Sequence, residues 1–162
     1  MNAYKYDSYC GIYCGACEIL NAETEQDKER VAKMWGSTPD QVNCRGCKTD
    51  TLFINCANCK IRDCAQEKEA EFCIECDDYP CGIYKEWIGN AERVPHIKVT
   101  DANMKYIKNN GVEQWLNDQK TKWACPQCNA NFAWYTQKCK KCKEDLRGIK
   151  DYENLSDQDI IF

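Results

Sequence analysis

Cys10-Gly11-Ile12-Tyr13-Cys14-Gly15-Ala16-Cys17 places three thiols within eight residues. Nothing apolar and strand-like precedes them, because Asp7 to Tyr13 holds two glycine or cysteine positions. A thioredoxin-type pair needs its C-x-x-C at the end of a parallel strand, so Cys14 and Cys17 do not read as one. The alternative is metal ligation, and the rest of the chain repeats the spacing. Twelve of the 15 cysteines form six C-x-x-C pairs: Cys14/Cys17, Cys44/Cys47, Cys56/Cys59, Cys73/Cys76, Cys125/Cys128 and Cys139/Cys142. Two intervening residues let a tight turn aim both sulfurs at one ion. One such pair is a weak signal, whereas six are strong.

The other three thiols are Cys10, Cys64 and Cys81, each close to a pair. Cys56, Cys59 and Cys64 recur 17 residues later as Cys73, Cys76 and Cys81. A knuckle followed by a single ligand is thus used twice, with the charged segment Ala65 to Phe72 between as a candidate for two helical turns. Residues 44 to 81 otherwise read as irregular, with metals serving as core.

Composition points the same way. The chain has 162 residues, room for one ordinary domain or two small ones. Its 43% hydrophobic fraction counts cysteine, and 30% of residues are charged. A core this thin asks for disulfides or metals. The opening residues lack a signal-peptide core, and no window reaches the 18 or so apolar residues of a membrane span. A soluble, cytoplasmic protein is expected, where dense cysteines are metal ligands rather than disulfides. The odd count also argues against full disulfide pairing. The formal charge of −4 makes a general nucleic-acid-coating role a poor fit. Zinc–tetrathiolate sites, each carrying roughly −2, would make the protein more acidic.

Helical patterns separate the cysteine groups. Thr24 and Asp27 can cap a helix carrying Val31, Met34 and Trp35 on its buried face and ending at Gly36. Pro80 is placed to open another, with Ile83, Tyr84, Trp87 and Ile88 inward and Gly89-Asn90 at its end. Thr100 to Lys122 reads as two helices broken at Asn109-Asn110-Gly111. Met104 and Ile107 serve the first; Val112, Trp115 and Leu116 serve the second.

Cys125-Pro126-Gln127-Cys128 and Cys139-Lys140-Lys141-Cys142 lie ten residues apart and read as a zinc ribbon, two knuckles clamping one ion. Asn129 suits the left-handed position that follows a knuckle. Asn131 to Tyr135 is aromatic and strand-like. Lys138, Lys140, Lys141 and Lys143 beside Trp134 and Tyr135 offer a surface for a protein or nucleic-acid partner. The simpler account is that these lysines offset the zinc–thiolate charge. No membrane partner is expected.

The C-G-x-x-C-G-x-C opening, Cys44-Arg45-Gly46-Cys47, Cys56-x-x-Cys59 with Cys64, and Cys73-Ile74-Glu75-Cys76 with Tyr79-Pro80-Cys81 resemble a known family. It is a group of small prokaryotic proteins defined as a cysteine-rich domain of unknown function and presumed to bind zinc. The resemblance covers residues 10 to about 90 and includes all 11 amino-terminal cysteines. It implies zinc binding inside the cell and no particular substrate. Some members carry a helical segment and a ribbon after the domain.

Catalytic machinery is sparse. There is one histidine, His96, and the serines are Ser8, Ser37 and Ser156. No nucleophile elbow, Walker loop, G-x-G-x-x-G or H-E-x-x-H occurs. The Cys10-x3-Cys14-x2-Cys17 spacing is also that of radical S-adenosylmethionine enzymes, but the chain is too short and lacks the strand–helix repeats of their barrel. An iron–sulfur cluster on cysteines of residues 10–81, for redox or sensing, is the alternative to zinc. An open site at Cys10, Cys14 and Cys17 would be the place for catalysis, although the chain leans away from being an enzyme. His96 reads as an ordinary loop residue, yet fifteen cysteines and one histidine would together fill four tetrahedral sites.

The sequence thus predicts a small metal-stabilised α+β protein. Residues 1–95 form a cysteine-ladder domain, 96–120 a helical connector, 121–147 a zinc ribbon and 148–162 an acidic tail. The expected ligands are Cys10, Cys14, Cys17, Cys44, Cys47, Cys56, Cys59, Cys64, Cys73, Cys76, Cys81, Cys125, Cys128, Cys139 and Cys142, holding several structural zinc ions in a binding or adaptor module. Two groupings suggest themselves in the ladder, Cys44/Cys47 with Cys56/Cys59 and Cys64 with Cys73, Cys76 and Cys81, and interleaving stays open.

Overall fold

The computed structural model describes residues 3–146. The acidic tail expected at 148–162 lies outside them. Helices α1 (Glu25–Trp35), α2 (Ile54–Ala57), α3 (Lys60–Glu67), α4 (Gly82–Ile88), α5 (Thr100–Asn110) and α6 (Val112–Lys122) are joined by turns and single-turn 3₁₀ segments.

Local chemistry explains the helix ends. Thr24 and Asp27 form a reciprocal capping box at the start of α1, and Gly36 closes it in the left-handed conformation. Gly111, also at positive φ, separates α5 from α6, so the two pack against each other as a helical hairpin. Other expectations shift. α1 buries Val31 and Ala32, while Met34 is 46% exposed. α4 begins at Gly82 with Cys81 as its N-cap, and Pro80 lies before it. The helix expected within 65–72 starts earlier, at Lys60, and carries Cys64 on it. Residues 44 to 81 are therefore less irregular than their composition implies.

The α+β class with a zinc ribbon is not what forms. Among the described residues there are no strands and no sheet. The two hairpins of residues 123–146 each carry one isolated antiparallel bridge, Ala124 with Asn131 and Lys138 with Asp145. The strand expected at 131–135 fails for a physical reason. Thr136 N–H turns back to the Ala133 carbonyl, and Trp134 N–H donates to the Ala16 carbonyl at 3.0 Å. The backbone groups that a ladder would need are spent on a turn and on the Cys14–Cys17 segment. Phe132, Ala133 and Trp134 then all point inward instead of alternating.

The apolar residues gather into three cores. The largest joins Tyr13 and Ala16 to Met104, Ile107, Trp115, Trp123, Phe132, Trp134 and Leu146. Trp115 at its centre is fully buried, and its indole alone contributes roughly 2–3 kcal/mol of hydrophobic burial. A second core sets Ile19, Val42 and Phe53 against α1. A third places Cys10 between Ile61 of α3 and Tyr84 of α4. Each core has cysteines in or against it.

Candidate metal centre

The clearest site is built from two copies of one turn. In the first, Cys125 N–H donates to the Ala130 carbonyl and Asn129 N–H returns to the Cys125 carbonyl. In the second, Cys139 N–H donates to the Glu144 carbonyl and Lys143 N–H returns to the Cys139 carbonyl. Asn129 and Lys143, each just after the second cysteine, both take positive φ. Asparagine suits that conformation, whereas Lys143 adopts it at a cost of about 1 kcal/mol. The turns face each other and bring Cys125, Cys128, Cys139 and Cys142 together with all four sulfurs within 4.8 Å.

Cys125 Sγ lies 3.5 Å from Cys142 Sγ, and Cys128 Sγ lies 3.5 Å from Cys139 Sγ. A tetrahedral ion bonded to sulfur at about 2.3 Å would hold its ligands roughly 3.8 Å apart. The four thiols therefore fit one ion. The amides of Cys142 and Lys141 donate to Cys139 Sγ and hold that thiol down at about 6, already suited to ligation. Among the described residues no other group of three or more Cys, His, Asp or Glu converges within the same distance.

This unit is docked on the first cysteine turn. Asn131 Nδ2 donates to the Gly15 carbonyl at 2.9 Å. Glu18, only 2% exposed, accepts from the Tyr135 amide at 3.0 Å and pairs with Arg30 of α1 at 3.1 Å. Lys140 reaches Asp27 of α1 at 2.7 Å. Sequence reasoning missed Glu18 as the joint. Its only signal was a carboxylate sitting between Cys17 and the apolar pair Ile19-Leu20.

The ladder cysteines gather more loosely. Cys64, Cys73, Cys76 and Cys81 line one cavity of about 20 Å³, together with Tyr79 and Lys68. The lysine Nζ lies 3.4 Å from Cys76 Sγ and also pairs with Asp78. Cys10 and Cys59 pack in the core between α3 and α4, Cys17 and Cys44 pack against the α1 core, and Cys56 is exposed on α2. Burial pushes Cys10 and Cys14 well up, Cys17 to about 12 and Cys47 to about 11. Neighbouring thiolate charge raises them further. Yet donors are aimed at these sulfurs: Ile12 N–H at Cys10, Cys47 N–H at Cys14, Ile19 and Leu20 N–H at Cys17, Tyr9 N–H at Cys47. Amides directed at sulfur favour the thiolate, and a divalent cation is what makes buried, crowded thiolates stable.

His96 stands apart. It stacks on Trp134 with ring centroids 3.8 Å apart, and its Nδ1 lies 3.0 Å from the Tyr135 hydroxyl. Burial holds its pKa down at about 3, so the ring is a neutral core element. Trp134 is consequently unavailable for stacking on a base, and Lys138 and Lys140 face Asp145 and Asp27. A different surface is open. A groove of about 790 Å³ runs beside Tyr4, Tyr6, Leu20, Asn21, Leu116 and Asn131, with Tyr4 and Tyr6 stacked at 6.2 Å and exposed.

Fold and site define a small, helical, cysteine-rich protein whose thiols include a four-sulfur group that could hold a metal ion. The chain belongs to the family described as protein of unknown function (DUF3795), whose match spans residues 6–86 and so includes all 11 ladder cysteines. Cys125, Cys128, Cys139 and Cys142 lie beyond that match. No curated protein and no solved structure matches the chain. No described helix is long and apolar enough to cross a membrane.

Proposed function

We propose that this protein is a binding module held together by structural zinc ions on cysteine thiolates. The observation that carries this reading is the convergence of Cys125, Cys128, Cys139 and Cys142 within 4.8 Å. Cys125 and Cys139 are moreover part of the largest core, so an ion there is tied to the packing of the whole protein. Four thiolates around one ion suit zinc and leave no position for water, so the metal's role is folding rather than Lewis-acid chemistry. Free thiols in such number fit a reducing compartment such as the cytoplasm. In this reading residues 1–95 are the ladder unit, 96–120 a helical connector and 121–147 a second zinc unit. The tyrosine-lined groove between the opening segment and α6 is the surface for a partner.

Chelation monitored by circular dichroism tests the reading. Each closed zinc site contributes on the order of 10 kcal/mol to folding in small modules, more than a chain of this size has to spare. Verified removal of metal should abolish the cooperative melt. An unchanged melt would sink the structural role.

A further inference from the structure

The four sulfurs of residues 125–142 are not equivalent. Cys125 is 1% exposed and Cys139 3% exposed, whereas Cys128 is partly exposed and Cys142 is open to solvent. The two close sulfur contacts each join one of either kind. Buried Cys125 lies 3.5 Å from exposed Cys142, and buried Cys139 lies 3.5 Å from Cys128. Both contacts run from one turn to the other. The other exposed thiol among the described residues, Cys56, belongs to no such convergent group.

A thiolate that solvent can reach is the one an oxidant meets first, and a second thiolate beside it decides what the product becomes. A disulfide needs its sulfurs about 2.05 Å apart, so each sulfur of a 3.5 Å pair has roughly 0.7 Å to travel. Side-chain rotation covers that distance. The backbone that carries the cysteines is held by bonds that contain no sulfur, from Cys125 N–H to the Ala130 carbonyl and from Cys139 N–H to the Glu144 carbonyl. Asn131 and Glu18 tie the unit to the first cysteine turn in the same way.

We propose that Cys142 is an oxidation site, at which hydrogen peroxide begins to convert the zinc-loaded centre into two disulfides that cross between the turns, Cys125–Cys142 and Cys128–Cys139, releasing the ion. The Cys142 sulfur attacks one peroxide oxygen, the O–O bond breaks, hydroxide leaves and a sulfenic acid remains. The Cys125 thiolate then attacks that sulfur; the S–S bond forms, the S–O bond breaks and a second hydroxide leaves. Cys128 takes the oxygen of a second peroxide, and buried Cys139 resolves it likewise. Four thiolates thus give up four electrons, two peroxides become four hydroxide ions, and zinc departs as the divalent ion. The disulfides then hold the two turns face to face in place of the ion, so zinc leaves without the unit opening.

The proposal rests on the structural-zinc reading above, and the test separates the two. Zinc-loaded full chain, prepared without oxygen, is titrated with hydrogen peroxide beside a zinc-sensitive dye, and its non-reduced digest is mapped by mass spectrometry. The first zinc should appear after two peroxides, together with both cross-turn disulfides, while the 11 ladder cysteines still alkylate as thiols. Dimedone added at substoichiometric peroxide should label Cys142 and leave Cys125 unlabelled. Amide exchange should find residues 123–146 protected in the oxidised chain and exposed when the reduced chain is chelated. Pairing within a turn, earlier oxidation of the ladder, loss of that protection on oxidation, or a zinc-loaded centre that resists peroxide would overturn the oxidation site and leave structural zinc intact. A chain that carries no zinc before oxidant is added would overturn the structural-zinc reading itself.

Discussion

The two cysteine regions solve one problem at different ranges. In residues 125–142 four sulfurs converge because two short turns, ten residues apart, face each other. In residues 10–81 the sulfurs sit on the opening segment, a pinned turn, two short helices and a helix N-cap, and meet only when three cores pack. The first site is local, with Cys125 and Cys139 buried and Cys142 exposed; the second is distributed, with Cys10 and Cys14 buried and the other nine thiols partly or fully exposed. Local knuckles can bind a metal before the rest folds, whereas the ladder needs folding and metal together. The two are nonetheless joined, through Glu18, Asn131 and the core around Trp115.

The strongest way to break the comparison is to empty one side. C139S should cost one ion and most of the roughly 10 kcal/mol tied to it. A loss of that size exceeds what the chain has to spare, so the cooperative melt should collapse; opening confined to residues 123–146 in amide exchange would mean the two regions are separable. W115A attacks what they share. It should cost about 3–5 kcal/mol in denaturant melts and lower the stability of both regions. A loss confined to one of them would show that the common core is not common.

Smaller changes sharpen the joint. E18A leaves the Tyr135 amide without its acceptor and Arg30 without its partner, and should cost about 2–3 kcal/mol. E18Q keeps the acceptor and should cost about half of that. Equal costs would place the whole effect in the charge pair. The smallest effect expected is pH-dependent. His96 has a folded pKa of about 3 against roughly 6.5 when unfolded, so the unfolded chain takes up a proton that the folded one refuses. Stability should therefore fall as pH drops below about 6.5, by up to about 1.4 kcal/mol per unit. H96F should flatten that slope between pH 6.5 and 5.5 in zinc-saturated buffer. An unaltered slope would assign it to thiolate protonation instead.

Much of this was legible because spacing and caps act locally. Thr24, Asp27 and Gly36 announce α1, Gly111 announces the break between α5 and α6, and the C-x-x-C pairs announce the knuckles. What depended on tertiary partners was not legible. Asn131 to Tyr135 has the composition of a strand, but its backbone bonds go to Ala16 and a turn, so no sheet forms. Trp134 looked like a stacking surface and is instead the floor under His96. The 17-residue echo of Cys56, Cys59 and Cys64 suggested equal units. The structure places Cys64 in the second copy's cavity and sets Cys59 against the core that Cys10, Cys73 and Cys81 also join. Periodicity in sequence does not report which copy's sulfurs come together.

The central claim is that the cysteines hold zinc through sulfur alone. X-ray absorption at the zinc edge of the purified full chain tests it most directly. The account predicts an average of four sulfurs per zinc at about 2.3 Å and no nitrogen or oxygen neighbour. A first coordination sphere containing light atoms, or iron where zinc is expected, would contradict it.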